Sequence, residues 1–405
     1  MLRPLLTVMS GGGVRQIVVL AGLPLLSRLY DPSAFGELAA VMAAVSMAMV
    51  VVHGRYHLAI PLARDDAEAR ALLHLACLAS IVLALPVTAS TLALFGDGGE
   101  GTVTLQTLLF ASVLTVMCAL IDVLTFWRSR FGRFAATARF DAVRAVGTLA
   151  AQLALAPLAG LGLVLGTAAG TGVSALLACR DARGAAGGFS LAGMLAAARH
   201  HRAYPLFGVP QGWLASASRN ILPLLLFKYA GAAVAGQFWL AHRLLLTPVA
   251  LVNSAYRQAA LPLLGRGTAE SNRRLCLQHT LALLALGLVP CAVLFLHGEI
   301  ILANLLGGAW REAGAIAGWL ALGFLADGVK IPVTALVQSE KRQPRLLVWE
   351  AALAVLRYGG ALPLLASGET QAAIAWYAVS GALGWAAFVA GELRPSSGRV
   401  SGSLT

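Results

Sequence analysis

Residues 71–95 read ALLHLACLASIVLALPVTASTLALF, a run without a single charged side chain. The run exceeds the ~20 apolar residues that an α-helix needs to cross the hydrocarbon core of a bilayer. Comparable apolar runs precede and follow it, and short polar connectors separate them. The pattern therefore predicts an all-α polytopic membrane protein.

Composition favours the same fold class. Hydrophobic residues make up 59% of the 405 residues and charged residues only 12%, whereas a globular domain carries about a quarter charged residues. We predict about twelve transmembrane helices and no soluble domain, and we interpret the first apolar run as a span, not a removable signal peptide. The predicted spans are residues 5–26, 36–53, 71–95, 103–126, 141–157, 161–179, 206–227, 236–256, 277–297, 313–337, 346–366 and 371–390.

The net charge of +12 reflects the connectors between the apolar runs. Lys and Arg are concentrated in alternate connectors, and cytoplasmic loops of membrane proteins carry this excess. We therefore expect a bacterial inner-membrane protein with both termini in the cytoplasm. Nucleic acid is excluded as a partner, because the basic residues are not gathered with aromatic residues on one polar element. The basic connectors are residues 55–70, 128–144, 180–202, 257–274 and 341–345.

The longest break divides the chain into two predicted lobes. Residues 1–185 form an N-terminal six-helix lobe, residues 186–204 a cytoplasmic interfacial linker, and residues 205–405 a C-terminal six-helix lobe. Within the linker, Leu191, Met194 and Leu195 can share one face of an amphipathic helix at the membrane surface.

A weak internal repeat supports this division. The first span carries Arg15 followed by an amide residue, and the seventh carries Arg219 followed by another; Gly36 and Gly236 open the spans that follow. Because six spans separate the copies, the repeat is parallel, with a pseudo-twofold axis along the membrane normal.

Basic residues within the predicted spans indicate a cationic cavity. Arg15 lies ten residues into the first span, or ~15 Å from its start, and Arg219 lies at a comparable depth. Such residues are costly in lipid and should face a cavity or a partner. Guanidinium groups match phosphate oxygens, so we predict a diphosphate-binding cavity; a structural role at carbonyls freed by nearby prolines is the alternative. The other candidates for this cavity are Arg243, Lys330 and Arg357.

Two acidic residues occupy corresponding spans of the two halves, Asp122 in the fourth and Asp327 in the tenth. A carboxylate in a low-dielectric wall can carry a proton or hold Na⁺, so both are candidates for ion coupling. A structural ion pair, such as Asp327 with Lys330 one turn away, is the alternative.

Cysteine and histidine spacing predicts no metal site, no disulfide and no cofactor. None of the five cysteines forms a C-x-x-C pair, and we interpret them as small buried hydrophobic residues. His53 and His57 flank Gly54 at a membrane edge, which favours a solvated loop.

Several motifs resemble one known family. Residues 27–36, SRLYDPSAFG, and residues 54–60, GRYHLAI, are similar to the start of Wzx-like polysaccharide biosynthesis proteins, the O-antigen and capsule repeat-unit flippases of the multidrug/oligosaccharidyl-lipid/polysaccharide exporter superfamily. The resemblance covers about residues 5–365, and His57 departs from it, because the family usually has an acidic residue there. Further matching motifs are WR at 127–128, YPL at 204–206, AGQF at 235–238 and GAWREAG at 308–314.

The resemblance implies two six-helix lobes around a central cavity and transport by alternating access. The implied substrate is a polyprenyl-diphosphate-linked oligosaccharide repeat unit of an O-antigen, capsule or exopolysaccharide, moved from the cytoplasmic to the periplasmic leaflet. The implied protein is a transporter and not an enzyme; it contacts membrane lipid and works with a polymerase and a chain-length regulator. Its energy comes either from a gradient of H⁺ or Na⁺ or from downstream consumption of the product.

Three alternatives remain open at this point. A drug/cation antiporter of the same superfamily would have an acidic or aromatic cavity. An integral-membrane polysaccharide polymerase or glycosyltransferase usually has long periplasmic loops, whereas the outward loops here are short. A lipid II flippase would use the same chemistry on a different sugar.

Overall fold

A computed structural model describes residues 2–96, 105–182, 187–264, 268–340 and 342–394. These residues form helices joined by short turns, and no strand occurs among them. The helices are α1 (Leu2–Leu29), α2 (Pro32–Val52), α3 (Asp66–Gly96), α4 (Leu105–Arg130), α5 (Phe134–Ala154), α6 (Gly160–Asp181), α7 (Leu191–His200), α8 (Val209–Leu264), α9 (Ala269–Leu306), α10 (Arg311–Val329), α11 (Ile331–Ser339), α12 (Gln343–Ala366) and α13 (Thr370–Leu393).

The helices correspond to the predicted spans. Within the described ranges, nine segments are long and apolar enough to cross a membrane. One of them, Tyr204–Asn253, is interrupted at Gly231, whose φ of 87° takes the backbone out of the helix. Helices α1 and α5 cover the predicted spans 5–26 and 141–157. The prediction of an all-α, multi-pass membrane protein is confirmed.

The chain forms two compact units. Unit 1 comprises Met1–Leu240 together with Ala303–Trp310, and unit 2 comprises Ala241–Leu302 and Arg311–Thr405. Helix α8 contributes to both units, and so does α9. The predicted lobes and their pseudo-twofold axis stay predictions.

Close glycine contacts pack α6 against α5 in unit 1. A Cβ atom added at Gly162 would overlap the carbonyl of Leu155, and one at Gly170 would overlap the backbone of Thr148. Helices that pack this closely need small residues, as the spacing of Gly162, Gly166 and Gly170 indicates. Nearby, the Tyr30 hydroxyl donates to the Gln152 carbonyl oxygen at 2.6 Å, which ties the end of α1 to α5.

A second close contact joins α2 to the part of α8 that follows Gly231. A Cβ atom at Gly36 would overlap the carbonyl oxygen of Ala232, and one at Gly236 would overlap that of Pro32. Gly36 and Gly236, which occupy corresponding positions in the proposed repeat, therefore face each other where α2 crosses α8. Both belong to unit 1.

The predicted linker helix is α7, whose first turn is capped by the Ser190 hydroxyl accepting the Gly193 N–H. Met194 is buried, while Leu191 and Leu195 are exposed. Helix α7 packs on α3, and His201, directly after α7, pairs with Glu68 at 3.0 Å. The position of this helix at the membrane surface stays a prediction.

In unit 2, polar groups near the end of α13 are paired within the protein. The buried Glu392 carboxylate accepts from Arg342 Nη2 at 2.8 Å and lies 3.1 Å from Arg345 Nε. These contacts fasten the start of α12 to the end of α13. Elsewhere in the unit, Gly298 and Gly314 meet at a tight backbone contact between α9 and α10.

Replacing Gly36 with Ala should destabilise the protein by about 2 kcal/mol, because the new methyl group meets backbone and not a flexible side chain. Gly359→Ala in α12 is the matched control, since a Cβ atom there meets nothing within 4 Å. Thermal unfolding of the purified proteins in detergent measures both. A wild-type unfolding midpoint for Gly36→Ala would contradict the close α2–α8 contact.

Candidate functional site

A polar cavity of about 510 Å³ lies within unit 1. Helices α2, α4 and α8 and the turn after α2 form its walls. Most of its polar atoms come from basic, amide and hydroxyl side chains, with one carboxylate among them. The lining residues are Ser46, Met49, Val50, His53, Arg55, His57, Asp122, Gly212, Ala215, Ser216, Arg219 and Asn220.

The turn after α2 places two histidines on the same wall. The chain leaves α2 at His53 and passes through Gly54 (φ 54°) and Arg55 (φ 57°), both in the left-handed region. A short 3₁₀ helix, Tyr56–Leu62, then begins. This reversal brings the His57 ring back to the His53 ring, with 3.9 Å between the ring centroids.

Both histidines face Asp122 of α4. Asp122 Oδ2 lies 3.5 Å from His53 Nε2 and 3.4 Å from His57 Nε2. His53 is 3% exposed and His57 5% exposed, so the prediction of a solvated loop is wrong. The left-handed turn folds the histidines inward, where Asp122 supplies the polar partner that burial requires.

The hydrogen bonds around His53 define its tautomer. The Arg55 backbone N–H donates to His53 Nδ1 at 3.3 Å, so the neutral ring carries its proton on Nε2, facing Asp122. Burial, together with the neighbouring His53 and Arg55, lowers the pKa of His57 to about 3, although Asp122 opposes the shift. His57 is therefore neutral at neutral pH.

The three side chains resemble a metal-ligand set, since one atom of each lies within 4.8 Å of the others. A metal needs the free lone pair of a neutral imidazole nitrogen. His53 Nε2 carries a proton, because Nδ1 is already an acceptor. The arrangement is that of a carboxylate facing two imidazoles, and it does not fit a metal site.

Arg55 crosses from this turn to the start of α8. Its Nη1 donates to the Gly208 carbonyl oxygen at 3.1 Å. A Cβ atom at Gly212 would overlap the same guanidinium nitrogen, so Arg55 lies against bare backbone. The contact holds a positive charge at the cavity wall.

Arg219 supplies the second guanidinium. It lies on α8 with an exposed side chain that lines the cavity. One turn earlier, Ser216 donates to the Ser46 carbonyl oxygen at 3.0 Å, and Asn220 donates to the Ser216 carbonyl oxygen at 2.9 Å. These bonds join α8 to α2 and position the polar wall on which Arg219 stands.

The structure brings two of the predicted site residues together, Arg219 and Asp122. Arg15 also belongs to unit 1 but is half-buried in α1 and is not among the residues that line this cavity. Arg55, His53 and His57 were not predicted as site residues. His53 and His57 are close in the sequence, but only the left-handed turn between them brings both rings to Asp122.

The remaining predicted residues belong to unit 2. Lys330 pairs with Asp327 and lies 3.7 Å from the centroid of the Trp385 ring. The Arg357 guanidinium lies over the Tyr377 ring at 4.9 Å. Arg243 is half-buried on α8. Asp327 forms the ion pair with Lys330 that was the alternative to a role in ion coupling.

A family model described as "Polysaccharide biosynthesis protein" matches residues 25–315. This range includes every residue that lines the cavity in unit 1. A search of curated proteins found no match.

Solved transporter structures share the fold over nearly the whole chain. The lipid II flippase MurJ in an inward closed conformation is 11% identical, with a TM-score of 0.75 over 95% of this chain and 86% of that one. Two structures of a multidrug resistance MATE family transporter of the MOP superfamily are each 14% identical. The inward-facing one has a TM-score of 0.56, over 95% of this chain and 96% of that one; the outward-facing one has 0.57, over 96% and 92%.

Stability should fall with decreasing pH because His57 resists protonation in the folded state. The lowered pKa means that the unfolded chain binds a proton below pH ~6.5 that the folded chain takes up only near pH 3. Unfolding free energy should therefore drop between these values, by up to about 1.4 kcal/mol per pH unit. His57→Gln should flatten this dependence in pH-resolved thermal unfolding, whereas the exposed His297→Gln should not. An unchanged slope in His57→Gln would contradict the buried, neutral state.

Proposed function

The chain belongs to the polysaccharide biosynthesis protein family, and on that premise we propose that it is a flippase for a lipid-linked glycan. The substrate is a polyprenyl-diphosphate-linked oligosaccharide repeat unit of an O-antigen, a capsule or an exopolysaccharide. Transport proceeds by alternating access, from the cytoplasmic to the periplasmic leaflet of the bacterial inner membrane. The similarity in fold to the lipid II flippase MurJ supports this proposal.

The observation that carries the proposal is the pair of guanidinium groups in the cavity of unit 1. Arg55 and Arg219 stand in a membrane protein where each charge is costly unless it faces water, a partner or a ligand. Planar guanidinium groups bind phosphate oxygens through paired hydrogen bonds. A diphosphate has enough negative charge and enough oxygen atoms to bind both guanidinium groups.

Asp122 does not neutralise these groups by direct pairing. Its carboxylate faces His53 and His57, and among the described residues no ion pair joins it to Arg55 or Arg219. The guanidinium groups therefore keep their capacity for an anionic headgroup. Arg15, Arg243, Lys330 and Arg357 remain proposed contacts of the substrate elsewhere along its path.

We assign the coupling role to Asp122 and propose a proton as the coupling ion. Two imidazole nitrogens already face Asp122 Oδ2, which leaves this oxygen poorly placed to bind Na⁺ but well placed to exchange a proton. Asp327 is the weaker candidate, because Lys330 pairs with it. Both termini lie in the cytoplasm in this proposal, and a polymerase and a chain-length regulator act with the flippase.

The drug/cation antiporter is disfavoured by the same cavity. Its described lining carries two guanidinium groups and one carboxylate, so an organic cation would meet net positive charge. An anionic headgroup would be attracted by the same positive charge. The similarity to multidrug transporters therefore supports a shared fold and not a shared substrate.

Replacing Arg219 or Arg55 with Ala should lower surface polysaccharide roughly 10-fold or more, because each loss removes charge-assisted hydrogen bonds of about 1.5–3 kcal/mol. Lys should restore only part of the activity, since it lacks the planar fork. Quantitative immunoblotting of polysaccharide, normalised to membrane abundance, measures the effect.

The matched control for these variants is Arg274→Ala, an exposed residue that pairs with Glu270 on α9. Wild-type polysaccharide in the Ala variants of both cavity arginines, at equal abundance, would overturn the diphosphate site. Arg15→Ala tests separately whether the first span contributes.

Asp122→Asn should abolish the dependence of transport on a pH gradient in proteoliposomes, because the amide cannot exchange a proton. Glu270→Gln, at an exposed position on α9, should leave that dependence intact. The measurement is the initial rate of lipid-linked oligosaccharide translocation with and without the gradient. A gradient effect of wild-type size in Asp122→Asn removes this residue from coupling.

A further inference from the structure

Three motifs from distant parts of the sequence meet at the end of unit 1 where α2 begins. Trp310 follows α9, Ser27 lies near the end of α1, and Gln237 lies on α8. With Phe35 and Leu306 they form a cluster that we call the Trp310 clasp. The cluster is separate from the polar cavity, none of whose lining residues it includes.

Directed hydrogen bonds hold the clasp together. The Trp310 indole N–H donates to the Ser27 carbonyl oxygen at 2.8 Å, and the Ser27 hydroxyl donates to the Leu306 carbonyl oxygen at 3.0 Å. The Gln237 amide donates to the Ala309 carbonyl oxygen at 2.8 Å. Each bond joins the end of α9, or the segment after it, to α1 or to α8.

Packing closes this end of the unit. Trp310 is fully buried, and its ring meets the Phe35 ring edge-on with 5.0 Å between the centroids. Beside it, Gly36 and Gly236 bring α2 and α8 into backbone contact. The start of α2 is therefore tightly packed against α8 and the segment after α9.

A short segment between two parts of unit 2 in the sequence contributes to the clasp. The residues just before and just after Ala303–Trp310 belong to unit 2, whereas this short segment belongs to unit 1. Gly307, with a φ of 111°, ends α9 and lets the chain turn toward Ser27.

The clasp and the cavity occupy opposite ends of α2. Phe35 is in the first turn of this helix and His53 directly follows its last residue; 18 residues separate them, or ~27 Å along the axis. The predicted topology places the start of α2 on the periplasmic side. The cavity therefore lies toward one face of the membrane and the clasp at the other.

We propose that the Trp310 clasp is the closed outer gate of the transporter, and that its hydrogen bonds must break before the cavity opens on that side. The proposal rests on the proposed function only in assuming transport by alternating access. It names a conformational role for the motifs around Ser27, Gln237 and Trp310 that diphosphate binding leaves unexplained.

The test measures access to the cavity and needs no glycan. A cysteine at Ala215, which lines the cavity, is labelled with a membrane-impermeant maleimide in right-side-out and inside-out vesicles, and the labelling of the parent protein is subtracted. A cysteine at Gly308, where an added Cβ meets nothing within 4 Å, reports which side the clasp faces.

Two variants weaken the clasp in different ways. Trp310→Phe keeps an aromatic ring but removes the indole donor, and Ser27→Ala removes only the hydroxyl donor. Each should raise the labelling rate from the clasp side roughly fivefold, the shift that follows from losing one hydrogen bond. Trp319→Phe is the matched control, because Trp319 packs edge-on against Phe295 in unit 2 and takes no part in the clasp.

The outcomes separate the gate from the proposed function. Unchanged labelling from the clasp side in Ser27→Ala overturns the gate, whether or not Trp310→Phe folds. Faster labelling supports the gate even if Arg55 and Arg219 prove dispensable for polysaccharide export, a result that would instead overturn the diphosphate site.

Discussion

The cost of removing a charge or a backbone polar group from water governs this structure, because lipid offers no hydrogen bonds in exchange. Polar side chains within the spans are accordingly held by other parts of the protein: Asp122 by two histidines, Asp327 by Lys330, and Glu392 by two arginines. Arg219 differs, since its charge faces a cavity. A charged residue that faces a cavity, and not a side chain of opposite charge, is the best guide to function, because a ligand can bind to it.

Periodic and compositional features were predictable from the sequence, because they depend on short-range physics. Apolar runs of membrane length correspond to helices, and the glycine spacing of α6 gives close packing. The candidate site was predictable only in part. Arg219 and Asp122 were identified because they are charged residues within predicted spans. His53 and His57 were assigned to a loop, because apolar patterning cannot reveal that two left-handed residues turn the chain back inward.

Most of the motifs that carry the family resemblance fall into two spatial groups within unit 1, while residues 311–314 belong to unit 2. Residues 27–36, 235–238 and 308–310 meet where α2 begins, and residues 54–60 meet the start of α8 where α2 ends. Helix α2 therefore connects a densely packed end to a polar end. The placement explains what the two groups of motifs do. The first group packs helices closely through glycine contacts and the Trp310 indole. The second group holds the Arg55 guanidinium beside the turn after α2.

Arg55 adopts a left-handed conformation that costs a non-glycine residue about 1–2 kcal/mol. Glycine at this position would relieve that strain but would remove the guanidinium from the wall. Stability and chemistry therefore select different residues here, and consensus or stability-guided design of this protein would tend to erase the more useful one. Strained positions of this kind should be kept when such a membrane protein is thermostabilised for biophysical work.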